Sequence, residues 1–372
     1  MPKSKLLLAD TSIMVESDLP DIKLWASLYN DQAITYQSLV DRTGRIQMPY
    51  DIGLHEKFKM PTDLTGFNMG YEELCNAQAQ RLLDLSERLN VPIYVMYSGG
   101  IDSTMMLISF IKQATTAQKK NNLVVALSPD SITENPNFYY KHIRPHLRIK
   151  SSEENTSWFD KTKIIVGGEH NDQLLGTDVP SKINETIPFD LVMQPHTNRI
   201  LVEYFKVKKM SDEHANWWYD LLAWHATHAP CEIKSTFDLL WWFNFCFKWQ
   251  TVFLRMLLRV DPPQKPNIDQ EFCNTYYHHF FGHEDFQKWS MLNPHLKIKN
   301  DWNTYKFHVK DTIYKFTEDK DYWINKTKRA SLYKLFLQKP VAKAITEDWQ
   351  FLDTFSAEDY YVPENSFSKG YR

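Results

Sequence analysis

The stretch VPIYVMYSGGIDSTMMLISFIK, residues 91–112, places two adjacent glycines between two apolar runs, although the chain has only 11 glycines in 372 residues. The pattern predicts a buried strand over 93–97 and a helix over 101–117. Glycines let the backbone approach a ligand closely, and a helix start offers N–H groups and partial positive charge. A strand, a glycine turn and a helix in this order therefore predict a binding site for phosphate or pyrophosphate.

The side chains around Gly99 and Gly100 also suit the binding of phosphate or pyrophosphate. Ser98 and Ser103 supply hydroxyl donors. Asp102 would repel a phosphate in direct contact, but it suits a cation placed between them, because Mg²⁺ prefers one or two carboxylates together with phosphate oxygens. The spacing is neither GxxxxGK[ST] nor GxGxxG. The alternative is a tight turn whose aspartate only stabilises the first turn of the helix.

Further periodic segments surround this loop. Apolar runs at 123–127 and 163–168 predict two more buried strands, and the helical spacing of apolar residues over 71–89 predicts a helix before the first strand. Strands that alternate with helices indicate an α/β fold with a doubly wound parallel sheet.

The pattern changes near residue 205, where aromatic-rich helical stretches replace strand patterns. We therefore expect three parts of the chain. They are an N-terminal segment of unknown role (1–70), an α/β core (71–205) and a helical C-terminal part that completes the substrate site (206–372).

Composition narrows the class of protein. Hydrophobic residues make up 43% of the chain, which indicates a globular fold, and the net charge of −3 argues against nucleic acid as a partner. The four cysteines form no CxxC pair, and polar residues interrupt the most apolar stretch, 237–258. The start of the sequence lacks the long apolar run of a signal peptide. We expect a reducing, cytoplasmic location without a membrane partner.

Two other groups of residues suggest a binding function. Histidine and cysteine residues at short spacing suggest zinc ligands, and the tryptophans of 217–249 suggest stacking on bases. Ordinary packing explains both patterns better, because no fourth zinc ligand is evident and the tryptophans recur among apolar residues with few arginines. The candidate zinc ligands are His225, His228 and Cys231, and separately His278, His279 and His283.

The string SGGIDS after a strand resembles the pyrophosphate loop (SGGxDS) of the N-type ATP pyrophosphatases, and RLNVPIYVMYSGGIDST, residues 88–104, resembles the asparagine synthetase branch. Members of this superfamily cleave ATP between the α and β phosphates, adenylate a substrate and release pyrophosphate. The resemblance implies an adenine nucleotide alpha hydrolase-like fold, with ATP and Mg²⁺ bound at the loop.

A second segment, IIVGGEHNDQLLGTD at 164–178, resembles an acidic motif of asparagine synthetases. Glu169 and Asp172 fall where the family has an acidic pair. Asp102 and Asp172 each follow a predicted parallel strand, at the sheet edge where ligands bind, and together are expected to hold Mg²⁺. Glu169 is expected to act as a base or to orient an incoming amine. The departures from the family pattern are His170, Gln173 and Thr177.

A third segment, YKFHVKDTIYKFTEDKDYWINKTKRAS at 305–331, resembles the basic C-terminal segment of the family. Lys306 matches its first lysine and Lys310 its arginine, while Lys326 and Lys328 match a later basic pair. Lysines here, Lys306 and Lys326 above all, would stabilise negative charge that develops on phosphate and on a tetrahedral carbon. The alternative is a set of lysines on solvated helix faces.

The resemblance implies a chain without the glutaminase domain of asparagine synthetases, since Pro2 stands where the family has its cysteine nucleophile, and we expect no glutaminase activity. The nitrogen is therefore expected from ammonia, from a separate partner or from an amine on the substrate. We expect an ATP-dependent ligase that adenylates a small-molecule carboxylate and transfers it to that nitrogen. Two alternatives remain: modification of a nucleobase by amidation or thiolation, and a nucleotide-binding or scaffold protein without activity.

Overall fold

The computed structural model describes residues 4–22, 24–25, 37–152, 158–260, 265, 267–327 and 341–365. The described residues divide into two compact units. The sheet unit lies within Asp63–Leu175 and Pro266–Leu332, and the aromatic unit lies within Met1–Thr62, Gly176–Lys265 and Tyr333–Arg372.

The strands of the described residues fall into two sheets. In chain order they are β1 (Leu6–Ala9), β2 (Ile93–Met96), β3 (Leu123–Leu127), β4 (Arg148–Ser151), β5 (Ile164–Gly167), β6 (Tyr277–His279), β7 (Ala344–Thr346) and β8 (Phe351–Leu352).

A five-stranded sheet forms the centre of the sheet unit, with the strand order β4-β3-β2-β5-β6. Every neighbouring pair is parallel. From β2 the chain builds outward through β3 and β4, and it then continues on the other side of β2 with β5 and β6. The strand order therefore reverses between β2 and β5, and this confirms an α/β fold with a parallel sheet.

Helices cover much of the sheet unit. They are Tyr71–Leu89, Ile101–Gln113, Thr116–Asn121, Pro129–Glu134, Pro136–Phe138, Asn171–Leu175, Gln270–Thr275, Glu284–Leu292, Phe307–Thr317 and Lys320–Asn325, with a π-helical turn at Tyr139–Ile143.

The helix Tyr71–Leu89 illustrates how local sequence fixes an element. At its start, the backbone N–H of Gly70 donates to the Glu73 carboxylate at 3.3 Å. At its end, Asn90 adopts a left-handed conformation with φ 52°, which asparagine tolerates better than most residues. The bounds confirm the predicted helix over 71–89. Its apolar face packs on the helix Ile101–Gln113, which we call the loop helix.

The aromatic unit contains the antiparallel sheet β1-β7-β8 and the tryptophan-rich helices. Four of the tryptophans are at most 1% exposed, so they form its core and are closed to a stacking base. They are Trp218, Trp241, Trp242 and Trp249. The helices are Thr11–Glu16, Val179–Ile183, Phe189–Val192, Ile200–Val207, Asp212–Ala226, Thr236–Phe247 and Trp249–Leu254.

The two units do not follow the linear division expected at residues 70 and 205. Strand β6 comes from the part expected to be helical, yet it completes the parallel sheet beside β5. Strand β1, from the segment without a predicted role, pairs with β7 near the other end of the chain. In the part of the chain that the structure describes, no helix combines the length and apolar character needed to cross a membrane.

Candidate active site

The loop between β2 and the loop helix needs glycine for two reasons. Gly99 has φ +79°, a conformation that side chains other than glycine adopt at a cost. A Cβ at Gly99 would also lie 2.5 Å from the carbonyl oxygen of Ser131 and 2.7 Å from the Cβ of Glu134. Gly99 is therefore required by packing against Ser131 and Glu134, and the close approach of a ligand that the sequence suggested stays a prediction.

The two serines of the predicted anion site hold this loop closed. The backbone N–H of Ser98 donates to Ser103 Oγ at 3.2 Å, and the two hydroxyl oxygens lie 3.1 Å apart. Ser103 Oγ also lies 3.2 Å from the carbonyl oxygen of Gly100, to which it can donate. Gly100 is the N-cap of the loop helix and brings no capping side chain. Hydroxyls and a helix start thus lie together at one end of β2.

Three charged residues from distant parts of the chain meet beside this loop. Lys306 Nζ lies 2.6 Å from both oxygens of Asp102 and 2.7 Å from Asp172 Oδ1. The Lys306 side chain is fully buried, whereas the side chain of Asp172 is 34% exposed. Each residue stands at the start of a helix, and the helix after Lys306 packs on the loop helix. We call Asp102, Asp172 and Lys306 the carboxylate–lysine group.

Further polar side chains fix the orientation of these carboxylates. Asn171 Nδ2 donates to Asp102 Oδ1 at 2.7 Å, and the hydroxyl of Tyr71 donates to Asn171 Oδ1 at 2.9 Å. Burial raises the pKa of the Tyr71 hydroxyl well above its usual value, so it stays a donor. The hydroxyl of Tyr305 reaches Asp172 Oδ1 at 3.4 Å. Asn171 lies inside the acidic motif, but its sequence position gave no sign of this role.

The turn after β5 brings the acidic motif against the loop helix. A Cβ at Gly168 would lie 3.2 Å from the backbone nitrogen of Ser103, so glycine permits a close approach. His170 adopts φ +73°, the conformation in which glycine is usual. Glu169 lies half-buried between these two residues. It therefore shares the carboxyl edge of the sheet with Asp172, and its predicted role as a base stays a prediction.

Lys326 also lies close to the glycine loop. Its ammonium forms an ion pair with Glu134, the residue that packs against Gly99, and its side chain is 11% exposed. Tyr322, on the preceding helix, donates its hydroxyl to the carbonyl oxygen of Gly99 at 3.5 Å. Lys326 is therefore linked to the loop indirectly, by its ion pair with Glu134, and its side chain is largely shielded from solvent.

Lys310 binds backbone carbonyl groups in the same region. Its ammonium donates to the carbonyl oxygens of Asn303 at 2.7 Å and Lys326 at 3.3 Å, and burial lowers its pKa. Lys310 thereby fixes the backbone on either side of the helix Phe307–Thr317. Lys328, the second member of the predicted basic pair, lies outside the described residues.

Two of the candidate zinc ligands, His225 and His278, form hydrogen bonds with protein groups. His225 accepts a hydrogen bond from Trp242 Nε1 at 2.9 Å and contacts Asp41, all within the aromatic unit. His278 Nε2 bonds the carbonyl oxygen of Thr275 at 3.0 Å. In the described ranges, no three histidine, cysteine, aspartate or glutamate side chains are grouped to hold a metal ion.

The donor set at the carboxylate–lysine group nevertheless fits Mg²⁺. This ion commonly takes one or two carboxylates and completes its octahedron with phosphate oxygens and water. Asp102 and Asp172 already converge on one cation, the ammonium of Lys306, and the exposed part of Asp172 gives access from solvent. These two side chains would hold the ion.

Comparisons of the chain with protein-family models, with curated proteins and with solved structures found no match. A function therefore has to be inferred from the site itself, because the fold class alone is shared by many activities.

Proposed function

We propose that the protein is an ATP-dependent ligase of the asparagine synthetase type, which forms an acyl-adenylate with release of pyrophosphate and then an amide. One observation carries the proposal: Asp102, Asp172 and Lys306 converge beside the Ser98–Ser103 loop, although they come from three separate segments. The sequence motifs had named these same residues. A solvated turn and a solvated lysine would have no reason to meet.

The position in the fold supports a nucleotide site. In open parallel sheets, ligands bind beyond the carboxyl ends of the strands where the strand order reverses. Here that point lies between β2 and β5, and the glycine loop and the acidic turn follow these two strands. We propose that the sheet belongs to the doubly wound, adenine nucleotide alpha hydrolase-like class.

The loop residues would bind the triphosphate of ATP. The start of the loop helix and the hydroxyls of Ser98 and Ser103 would favour negative charge, and Gly100 brings no side chain that would block its approach. Mg²⁺ held by Asp102 and Asp172 would supply positive charge to the phosphates. Lys306 and Lys326 would balance the charge of the leaving pyrophosphate.

The reaction would proceed in two steps. A substrate carboxylate oxygen attacks the α-phosphorus of ATP, and the bond to the β-phosphate oxygen breaks, so pyrophosphate leaves. A nitrogen lone pair then attacks the acyl carbon, AMP departs with the C–O bonding electrons, and the nitrogen loses a proton. Glu169 would accept that proton.

Product analysis tests this proposal. The protein is incubated with Mg²⁺ and ATP labelled at the α-phosphate, with a panel of amino acids and other carboxylates, ammonia or amines, and separately nucleic acid. We expect labelled AMP and free pyrophosphate with a carboxylate and a nitrogen donor. Formation of ADP and phosphate without AMP would contradict the proposal. AMP formation that depends on nucleic acid alone would instead support a nucleobase-modifying enzyme.

A further inference from the structure

The carboxylate–lysine group contains a cation of its own, the ammonium of Lys306. We propose that Lys306 competes with the divalent cation for Asp102 and Asp172, so that the metal enters this site only together with the nucleotide. This inference rests on the proposed function, because the triphosphate is the anion that would receive the displaced ammonium.

The contacts set the two cations in competition for the same oxygens. Lys306 Nζ is 2.6 Å from both oxygens of Asp102 and 2.7 Å from Asp172 Oδ1, so it occupies the space between the two carboxylates. A Mg²⁺ ion on these oxygens would sit at about 2.0–2.1 Å from them. An ammonium and a divalent ion that share the same oxygens would therefore lie in contact and repel each other.

The surroundings prevent Asp102 from turning to serve both cations. Asn171 Nδ2 donates to Asp102 Oδ1 at 2.7 Å, and Asn171 is itself held by the hydroxyl of Tyr71 at 2.9 Å. The side chains of Asn171 and Tyr71 are buried, so water does not easily replace these bonds. The Asp102 carboxylate is therefore held in the orientation that serves Lys306, and a metal ion would have to draw its oxygens away from the ammonium.

Replacement of the Lys306 ammonium by Mg²⁺ at the two carboxylates is favourable only if the ammonium gains another anionic partner. Its side chain is fully buried, and a buried ammonium without a partner is strongly unfavourable. The nearest position for a new anion is the glycine loop, since Asp102 belongs to the first turn of the loop helix. A triphosphate bound there can accept the ammonium while Mg²⁺ takes the carboxylates. Metal and nucleotide should then bind as one unit.

Mn²⁺ binding to the protein without nucleotide tests the competition, with the free Mn²⁺ signal in electron paramagnetic resonance as the readout. Lys306→Met should bind one Mn²⁺ at least about tenfold more tightly than the wild-type protein, because its carboxylates lose their internal cation. Lys112→Met is the matched control. It removes one positive charge from the far end of the loop helix, where Lys112 pairs with Glu72 at 2.5 Å. This control should bind Mn²⁺ as the wild-type protein does.

Two additional measurements locate the effect. Adding Asp172→Asn to Lys306→Met should abolish the gained Mn²⁺ site. In the wild-type protein, tight Mn²⁺ binding should require α,β-methylene-ATP, an analogue that is not cleaved at the α–β bond. Equal Mn²⁺ affinity of wild-type and Lys306→Met, or a gain that survives Asp172→Asn, would overturn the proposal.

Thermal unfolding covers the case in which Lys306→Met does not fold by itself. The melting temperature of the wild-type protein should rise clearly with Mn²⁺ and the analogue together, and by much less with Mn²⁺ alone. An equal rise with Mn²⁺ alone would overturn the competition. If Lys306→Met gains its Mn²⁺ site but the wild-type protein forms no AMP with any substrate, the competition stands and the ligase proposal fails.

Discussion

Two groups of ionisable side chains, one in each unit, differ in ways that distinguish a candidate site from a structural cluster. In the carboxylate–lysine group, two carboxylates share one ammonium, and Asp172 remains 34% exposed. In the aromatic unit, Asp41 and His225 pair at 3.2 Å with side chains that are 0–1% exposed. The first group has one more carboxylate than ammonium and is open to solvent at Asp172, whereas the second is closed to solvent.

In the closed cluster, formed by Asp41 and His225, neighbouring groups of the same unit stabilise the Asp41 carboxylate. Trp242 Nε1–H can only donate, so His225 Nδ1 accepts and His225 Nε2 donates to Asp41. Asp41 also accepts backbone N–H groups of Thr43 and Ile46 at 2.9 Å each. Burial by itself raises the pKa of Asp41, but these bonds together lower it below its usual value. A buried charge is thus no sign of catalysis when every partner comes from the same core.

The largest effect is expected for Asp102→Asn. The change removes a metal ligand and should lower AMP formation by at least about 10⁴-fold, since metal stabilisation of phosphate charge is worth several kcal/mol. The free energy of unfolding should also fall, by up to about 3 kcal/mol, because the buried ammonium of Lys306 then keeps only Asp172 as an anionic partner. Enzyme assays at saturating Mg²⁺ and urea unfolding measure the two effects. An unchanged rate with a stability loss below about 1 kcal/mol would favour the simple helix-start role of Asp102.

Asp41→Ala should show the opposite profile. It leaves several buried donors without an acceptor, so we expect a loss of about 3–5 kcal/mol in the free energy of unfolding. AMP formation by the folded fraction should stay near the wild-type rate. Urea unfolding and an assay at low temperature check both parts. A variant of normal stability would show that the closed cluster contributes little.

The pH dependence of stability sharpens the same contrast. The folded pKa of Asp41 lies below its usual value of 3.8, so its carboxylate stabilises the folded state above that pH. The contribution is lost as pH falls from 3.8 through the folded pKa. Asp41→Asn should therefore show a shallower loss of stability over this acidic range than the wild-type protein. Parallel slopes in urea unfolding from neutral to acidic pH would refute the assignment.

Glu169→Gln separates the two steps proposed for the open site. General-base help is typically worth about 10²–10⁴ in rate, so amide formation should fall by at least about 10². Substrate-dependent exchange of pyrophosphate into ATP should continue, because adenylation precedes the loss of the proton. If exchange and amide formation fall together, Glu169 acts in the first step or only holds the turn.

The smallest effect is expected for Tyr71→Phe, which removes the donor to Asn171. One hydrogen bond contributes about 1 kcal/mol, so the Mg²⁺ concentration for half-maximal rate should rise about fivefold. Tyr305→Phe is the control, because its contact with Asp172 is longer, at 3.4 Å. We expect it to change the Mg²⁺ requirement less. An equal or larger effect of Tyr305→Phe would place the main support at Asp172.

Local patterns predicted the centre of the sheet well. Strands β2, β3 and β5 carry apolar runs of four to five residues, and each was predicted. Strands β4 and β6 were not predicted. β4 is a sheet edge with the polar sequence RIKS, and β6 has only three residues, two of them histidines. Both depend on pairing with a neighbour, which periodicity does not reveal.

The site could be predicted as a set of residues, but not as a set of contacts. Motif order suggested that Asp102, Asp172 and Lys306 belong together. The ion pair of Lys306 with both carboxylates arises from tertiary packing across more than 130 positions of the chain. The bond from Tyr71 to Asn171 has the same origin, with 100 positions between them. Sequence spacing holds no information on either contact.

Exchange of labelled pyrophosphate into ATP tests the central claim most directly, namely that the open group beside the glycine loop adenylates a carboxylate. The account predicts label in the β and γ phosphates only with Mg²⁺ and an acyl substrate. It predicts normal exchange after Lys112→Met and none after Asp102→Asn. Exchange that persists in Asp102→Asn, or its absence from the wild-type protein with every carboxylate while ADP accumulates, would contradict the account.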